Sequence, residues 1–209
     1  IILQNLGKAA VISTALIKIG DEVAPNNYKM TSLDPFKMWK ILQIAQDSGC
    51  QYVILEVASH ALHQHRFEGI DFDMAVLTNI TPEHLDYHKT MEEYFAAKER
   101  LFSELLGEHA QTNVAVLNGD DPWVRKTRVR EGVTTWWYGT KDCDFTFRVL
   151  KQDLNGSLFH LSSPRGNHEF NLPCPGVHNV YNAVAAVAAS CAAGASLETA
   201  SEALQTFYG

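Results

Sequence analysis

Met74-Ala75-Val76-Leu77-Thr78-Asn79 is an apolar run closed by polar residues; a helix-period stretch from Thr90 to about Leu106 follows it, and then a second apolar run, Val114-Ala115-Val116-Leu117. That order predicts a strand, a crossover helix and a parallel strand. Within the helical stretch Met91, Tyr94, Leu101, Phe102 and Leu105 recur at three- and four-residue steps. Thr90 and Glu93 have the spacing of a capping box at its start.

The alternation extends both ways. Upstream, Ala9 to Ala15 reads as a buried strand, with Gly20 closing the short segment after it and a polar loop from Pro25 to Thr31. Asp34-Pro35 opens a helix by N-cap and N1 proline; Phe36, Trp39, Ile41 and Ile44 supply its apolar stripe, and Gly49 ends it. Tyr52-Val53-Ile54-Leu55-Glu56-Val57 is a second strand, buried except at its acidic end. Downstream come a helix from about Asp121 and a strand at Thr134–Tyr138. Short runs over 143–173, broken by Asn155-Gly156 and Pro164-Arg165-Gly166, then signal an antiparallel meander. Helices from Asn179 to about Ala193 and from Leu197 to about Thr206 finish the chain. The fold expected is α/β, a mostly parallel sheet flanked by helices with a small β-meander.

The 209 residues, 46% hydrophobic and 20% charged, describe a globular domain. With 17 basic and 24 acidic residues the net charge is -7, and the only basic cluster is Arg125, Lys126, Arg128, Arg130. Nucleic-acid binding is therefore a poor default, and an anionic substrate must be met by local cations or a metal. The four cysteines lack C-x-x-C spacing, as expected of free thiols in a reducing cytoplasm. The apolar stretch Ala183 to Ala193 is too short for a membrane span. The chain starts at Ile1 without an initiator methionine and reads as cut from something longer.

Ligands of a parallel sheet bind at the carboxyl ends of its strands. Those ends carry Glu56, Thr78-Asn79 and Asn118-Gly119-Asp120-Asp121. A carboxylate closing an apolar strand needs a cation or hydrogen-bond donors, so Glu56 is either a metal ligand or a cap of the helix near Ser59. His84 follows the next strand and can approach Glu56 along the same edge. By chemistry alone zinc or manganese would suit such a pair as well as magnesium, and a metallohydrolase using His60, His63, His65, His84 and His88 is a competing reading. Lys98 falls inside an apolar stripe. It either snorkels to solvent or stands as a neutral, nucleophilic amine able to take up carbon dioxide as a carbamate. Asn179 and Asn182 place amides on one helix face, suited to an adenine edge, although Asn179 alone is also a natural N-cap.

Five segments in register resemble the Mur ligase family, most closely its MurE type. They are residues 56–62, 78–88, Tyr94-Phe95-Ala96-Ala97-Lys98 with Leu101-Phe102, 118–122, and His178-Asn179 with Asn182. The resemblance covers nearly the whole chain. It implies an ATP-dependent ligase that adds the third stem amino acid to UDP-N-acetylmuramoyl-L-alanyl-D-glutamate through an acyl phosphate. It further implies that Glu56 and His84 hold Mg2+ beside ATP, that a carbamylated Lys98 helps place a second Mg2+, and that Asn179 and Asn182 lie by the adenine. Thr31 and Ser32 match residues holding the nucleotide-sugar, and Ser59, Gln64 and Arg66 match residues contacting its peptide. The sequence departs from the family pattern at Ala58, Glu83 and Ser32-Leu33, and contains no G-x-x-G-K-[ST] phosphate loop.

In the family that loop would precede Ile1, and N-terminal UDP-binding and C-terminal amino-acid-binding domains would flank this one, so the isolated chain is expected to be inactive. Folylpolyglutamate and cyanophycin synthetases are rivals within the family, against which Glu56-Val57-Ala58-Ser59-His60-Ala61-Leu62 argues. A metal-dependent phosphohydrolase and a non-catalytic nucleotide-binding module are rivals outside it. Whether diaminopimelate or lysine is added stays open.

Overall fold

The computed structural model describes residues 1–28, 30–107 and 113–208. The decisive stretch folds as read: β5 (Met74–Leu77) pairs in parallel with β6 (Val114–Asn118), which pairs in parallel with β7 (Thr134–Gly139). α4 (Met91–Arg100) lies between β5 and β6 in sequence, and its last turns widen into a π-helix over Leu101–Leu105. The Thr90 side chain accepts from the Glu93 N–H at 3.1 Å, which is one half of the capping box.

β6 explains why the sheet is covered on both faces. Val114 and Val116 enter one core, with α5 (Val177–Ala192) and α6 (Leu197–Leu204), while Ala115 and Leu117 enter the other, with α4 and Met38 and Ile41 of α1 (Pro35–Asp47). A continuous apolar run is what a strand buried on both faces requires. The meander, β8 (Phe145–Asp153), β9 (Gly156–Ser163) and β10 (Gly166–Leu172), is present and continues the same sheet, because β8 pairs in parallel with β7 at Tyr138↔Phe145. The six strands run β10-β9-β8-β7-β6-β5.

Several expectations need correction. The strand read from Ala9 to Ala15 stops at Ile12 as β1 (Ala9–Ile12), since the Ser13 N–H donates to the Leu16 carbonyl at 2.9 Å and reverses the chain. β2 (Leu16–Ile19) and β3 (Glu22–Pro25) then form a hairpin in place of a single segment and loop, with Gly20 at φ 61° in its turn. With β4 (Tyr52–Leu55) they build a second sheet, ordered β3-β2-β1-β4, in which β1 and β4 are parallel. β4 is an edge strand, so Val53 and Ile54 are 41% and 39% exposed where a buried strand was expected.

α1 has its Asp34 cap, N1 proline and terminating Gly49 as read. Its buried face, however, is Met38, Ile41 and Ala45, and Phe36 is 89% exposed, with Trp39 and Ile44 also outside. The helix phase, rather than side-chain size, selects the buried set. No α-helix starts at Asp121, where only a 3-10 turn, Val124–Lys126, forms. There the buried Glu99 carboxylate binds the Arg128 N–H at 2.8 Å and its guanidinium at 2.6 Å, and Thr127 before it is extended.

β4 pairs only with β1 and β5 only with β6 among the described residues, so each sheet ends in an open edge, and Val76 of β5 is 38% exposed. Both edges border one core, to which Ile12 and Leu55 contribute from one sheet and Ala75 and Leu77 from the other. Among the described residues no helix is long and apolar enough to cross a membrane.

Candidate functional site

β1 and β4 run in parallel with Ile12 opposite Leu55, so the residues just beyond their carboxyl ends meet. The Glu56 carboxylate accepts the Thr14 N–H at 2.6 Å and the Thr14 hydroxyl at 2.9 Å, both on Oε2, and its other oxygen carries no hydrogen bond among the described residues. Thr14 Oγ1 also lies 2.9 Å from the Thr31 hydroxyl. Ser32, 2% exposed, accepts from the Ala58 N–H at 3.0 Å and donates to the Glu56 carbonyl at 3.3 Å, pinning the loop after β4 to the loop before α1.

Arg66 extends this chain of contacts. Its guanidinium donates to the Ser32 carbonyl at 3.1 Å and to Gln64 Oε1 at 2.5 Å, and Gln64 donates to the Tyr87 hydroxyl at 3.0 Å. Among the described residues Arg66 has neutral acceptors and no carboxylate, so its positive charge remains available to an anion. Thr31, Ser32, Glu56, Gln64 and Arg66, scattered over 36 positions (31 to 66), thus stand in one hydrogen-bonded network. Ser59, at the start of α2 (Ser59–His63), is different: it is buried and its hydroxyl meets His88 Nε2 at 3.0 Å.

His84 follows β5 in a left-handed conformation, φ 57°. Its exposed ring packs edge-on to His60 at 4.8 Å, and neither ring nitrogen is hydrogen-bonded among the described residues. His60 in turn stacks at 4.2 Å on Tyr87 of α3 (Leu85–His88), which links His84 to Gln64. Burial first, and then neighbouring imidazoles, hold the His60 and His88 rings below the usual histidine range. Lys98, half-buried on α4, has its amine 5.1 Å from the centre of the Tyr94 ring, which also contacts His84 at 6.2 Å.

The donor set discriminates between metals. Among the described residues no group of three or more His, Cys, Asp or Glu side chains is arranged to hold an ion. The histidines instead bond other partners, His63 with Tyr87, His65 with Glu68 and His88 with Ser59. A self-contained zinc site of three or four protein ligands does not fit. Among the described residues one carboxylate oxygen and one imidazole without a hydrogen bond can supply two ligands to an ion that takes the rest from phosphates and water; the carboxylate suits magnesium, and the imidazole leaves manganese or zinc as fitting.

Further along the edge a cleft of about 460 Å³ opens beyond β5 and β6, bordered by Thr78, Asn79, Asn118, Asp121, His178 and Asn182. Asn118 is held by the Thr78 carbonyl at 2.7 Å and by the Asp120 N–H at 2.9 Å. Tyr181 of α5 donates to Asp120 at 2.7 Å, fixing the helix that carries Asn182 against the loop after β6. Burial raises the Asp120 carboxyl, but bonds from Tyr181 and Thr140 outweigh it and hold the group below its ordinary range. The two asparagines read as a pair separate. Asn182 borders the cleft, whereas the Asn179 amide turns to the Pro175 carbonyl at 2.7 Å, and Gly176, not Asn179, is the N-cap.

Sequence reading missed Thr14, Tyr87 and Tyr181. The parallel alignment of β1 with β4 would have placed Thr14 beside Glu56. Tyr181, between the two asparagines, lies one position from the cleft-facing Asn182.

An acidic network beyond β1 and β4 of one sheet and an amide-lined cleft beyond β5 and β6 of the other define an α/β domain with polar groups gathered past the carboxyl ends of its parallel strands, where such folds take their ligands. Residues 1–190 match the family described as Mur ligase middle domain, and the chain belongs to that family. It is 38% identical over 208 residues to the UDP-N-acetylmuramoyl-L-alanyl-D-glutamate–2,6-diaminopimelate ligase of Bacillus velezensis, covering 97% of this chain and 41% of that protein. It is 37% identical over 186 residues to UDP-N-acetylmuramyl-tripeptide synthetase 2 of Oceanobacillus iheyensis, covering 88% and 38%. A solved UDP-N-acetylmuramoyl-L-alanyl-D-glutamate–2,6-diaminopimelate ligase superposes with a TM-score of 0.84 at 29% identity, over 100% of this chain and 42% of the other. The chain therefore spans about two fifths of the length of these relatives.

Proposed function

We propose that the chain is the central domain of a cytoplasmic, ATP-dependent ligase of peptidoglycan precursor synthesis. The parent enzyme joins the third stem amino acid to UDP-N-acetylmuramoyl-L-alanyl-D-glutamate. The observation that carries this reading is the network from Thr31 through Glu56 to Arg66, beyond the carboxyl ends of β1 and β4, with the amide-lined cleft beyond those of β5 and β6 in the other sheet. The names of the relatives supply the substrate class, and the four free cysteines accord with a reducing compartment.

In this reading the substrate's terminal carboxylate attacks the γ-phosphorus of ATP and ADP leaves. The incoming amine then attacks the acyl carbon, and phosphate leaves. Arg66, with Gln64, binds and orients the anionic peptide end, while Thr31 and Ser32 hold the nucleotide-sugar side; Ser59, tied to His88, supports that wall from beneath. Asn182 meets the adenine edge, and Asn179 braces the first turn of its helix. Glu56 and His84 would hold Mg2+, which when bound supplies positive charge against the phosphates. Lys98 carries a carbamate, formed from carbon dioxide with loss of a proton, which turns a half-buried amine that has no ion-pair partner among the described residues into an anionic ligand.

The 209 residues hold no G-x-x-G-K-[ST] phosphate loop and span about two fifths of the length of the relatives, which supports the reading that they do not ligate by themselves. The open edges of β4 and β5, with Val53, Ile54 and Val76 exposed, support a further strand there. The test is ADP formation by the protein extended through its flanking sequence. ADP that forms only with both the UDP-linked dipeptide and an amino acid supports the reading. Substrate-independent hydrolysis, or no turnover, overturns it.

A further inference from the structure

The solvent face of the β8–β9 ladder carries an array that neither the Glu56 network nor the amide cleft uses. Thr146 stands opposite Ser162 and Arg148 opposite His160. Phe145 and Phe147, with Phe159 and Leu161, alternate with them into the core, as the two-residue period of a strand requires. These four polar residues, with Thr140 and Val177, border a hollow of about 520 Å³, within the size range of small-molecule sites.

Arg148 makes no ion pair or hydrogen bond to any described residue. The neighbouring cation, Lys151, is already paired with Asp153 at 3.0 Å. Glu169 of β10 stands opposite His160, on the side away from Arg148. In a chain of net charge -7, an unneutralised guanidinium beside an imidazole and the Ser162 hydroxyl is a site set up for negative charge.

We propose that this hollow binds a small anion, through a carboxylate or phosphate group gripped by Arg148 with His160 and Ser162. The planar guanidinium can donate to two oxygens of such a group at once, and the Ser162 hydroxyl, 3.4 Å from His160 Nε2, can turn its proton to the same oxygens, while the Thr146 hydroxyl stays with the Cys143 carbonyl at 2.9 Å. Val177, 45% exposed, leaves an apolar wall for the carbon part of the ligand. The site is separate from the amide cleft. Thr140 borders the hollow, Asp120 and Tyr181 border the cleft, and Asp120 accepts from the Thr140 N–H and the Tyr181 hydroxyl, each at 2.7 Å, so this tie stands between them.

The test follows backbone amide resonances of the 209-residue chain as inorganic phosphate and, separately, acetate are added at constant ionic strength. Saturable shifts centred on residues 146–148 and 160–162 are expected with at least one of the two, and the tighter probe identifies the anionic group. Arg148→Gln, at an exposed position, is expected to weaken that binding at least about fivefold without moving the thermal midpoint. Failure of both probes to saturate, shifts centred on the Asn118–Asp121 cleft, or unchanged affinity in Arg148→Gln would overturn the proposal. None of these readouts depends on ligase activity.

Discussion

The Tyr181 hydroxyl donates to the Asp120 carboxylate at 2.7 Å, joining α5 to the loop after β6 across 61 positions of sequence. That contact sets the separation of the two cleft walls, because Asn182 follows Tyr181 on the helix and Asn118 and Asp121 flank Asp120 on the loop. Tyr181→Phe removes the bond and keeps the ring. Because the pair is half open to solvent, the expected loss in unfolding free energy is about 1 kcal/mol. Nucleotide affinity of the extended protein should fall several-fold as the cleft loosens. Denaturant unfolding and nucleotide titration check the two effects.

The same pair makes a pH prediction. Burial, and then the bond and charge of Asp120, push the Tyr181 hydroxyl up to about 12, against about 10 for a free tyrosine. A group whose folded value is raised contributes stability that is complete below its unfolded value and lost as pH rises through the folded one. Asp120 is held low in the fold, so its contribution is complete above about 3.9 and lost as pH falls through the folded value. The stability difference between wild type and Tyr181→Phe should therefore be flat from about pH 5 to about pH 9 and shrink on both sides. Unfolding titrations across that range measure it.

Ser32 is buried, and its hydroxyl meets both the Ala58 N–H and the Glu56 carbonyl. Ser32→Ala leaves that N–H without a partner, at an expected cost of about 1–3 kcal/mol. Ser32→Thr keeps the hydroxyl and should recover part of the loss. Thermal unfolding of the two variants side by side is the check.

On α1 the phase decides which residues matter. Met38→Ala empties a buried position and should cost about 2–5 kcal/mol. Phe36→Ser, at a position 89% exposed, should change stability by less than about 0.5 kcal/mol. Chemical denaturation of both variants separates this assignment from one based on side-chain size.

The larger elements were legible in the sequence where one signal dominated. The apolar run of β6, the Asp34-Pro35 start of α1 and the glycine-punctuated meander each had one reading. The reversal from β1 into β2 was hidden because Ser13-Thr14-Ala15 continues an apolar run, and it depends on a serine turn rather than on glycine or proline. The missing helix after Asp121 reflects a tertiary bond, Glu99 to Arg128, that no local pattern contains. At the site, residue types at strand ends pointed to Glu56 and His84. Thr14 and Tyr181 could be found only once strand register and helix placement were known.

The central claim is that the carboxyl edge around Glu56 handles the metal and nucleotide of a ligation reaction. Glu56→Gln keeps an oxygen able to accept from Thr14, so the fold should survive, while the charge is lost. The rate of ADP formation by the extended protein, with UDP-linked dipeptide and amino acid saturating, is predicted to fall by about 100-fold or more at an unchanged thermal midpoint. A Glu56→Gln enzyme that retains its rate to within about threefold, a barrier difference under about 0.7 kcal/mol, would contradict the account.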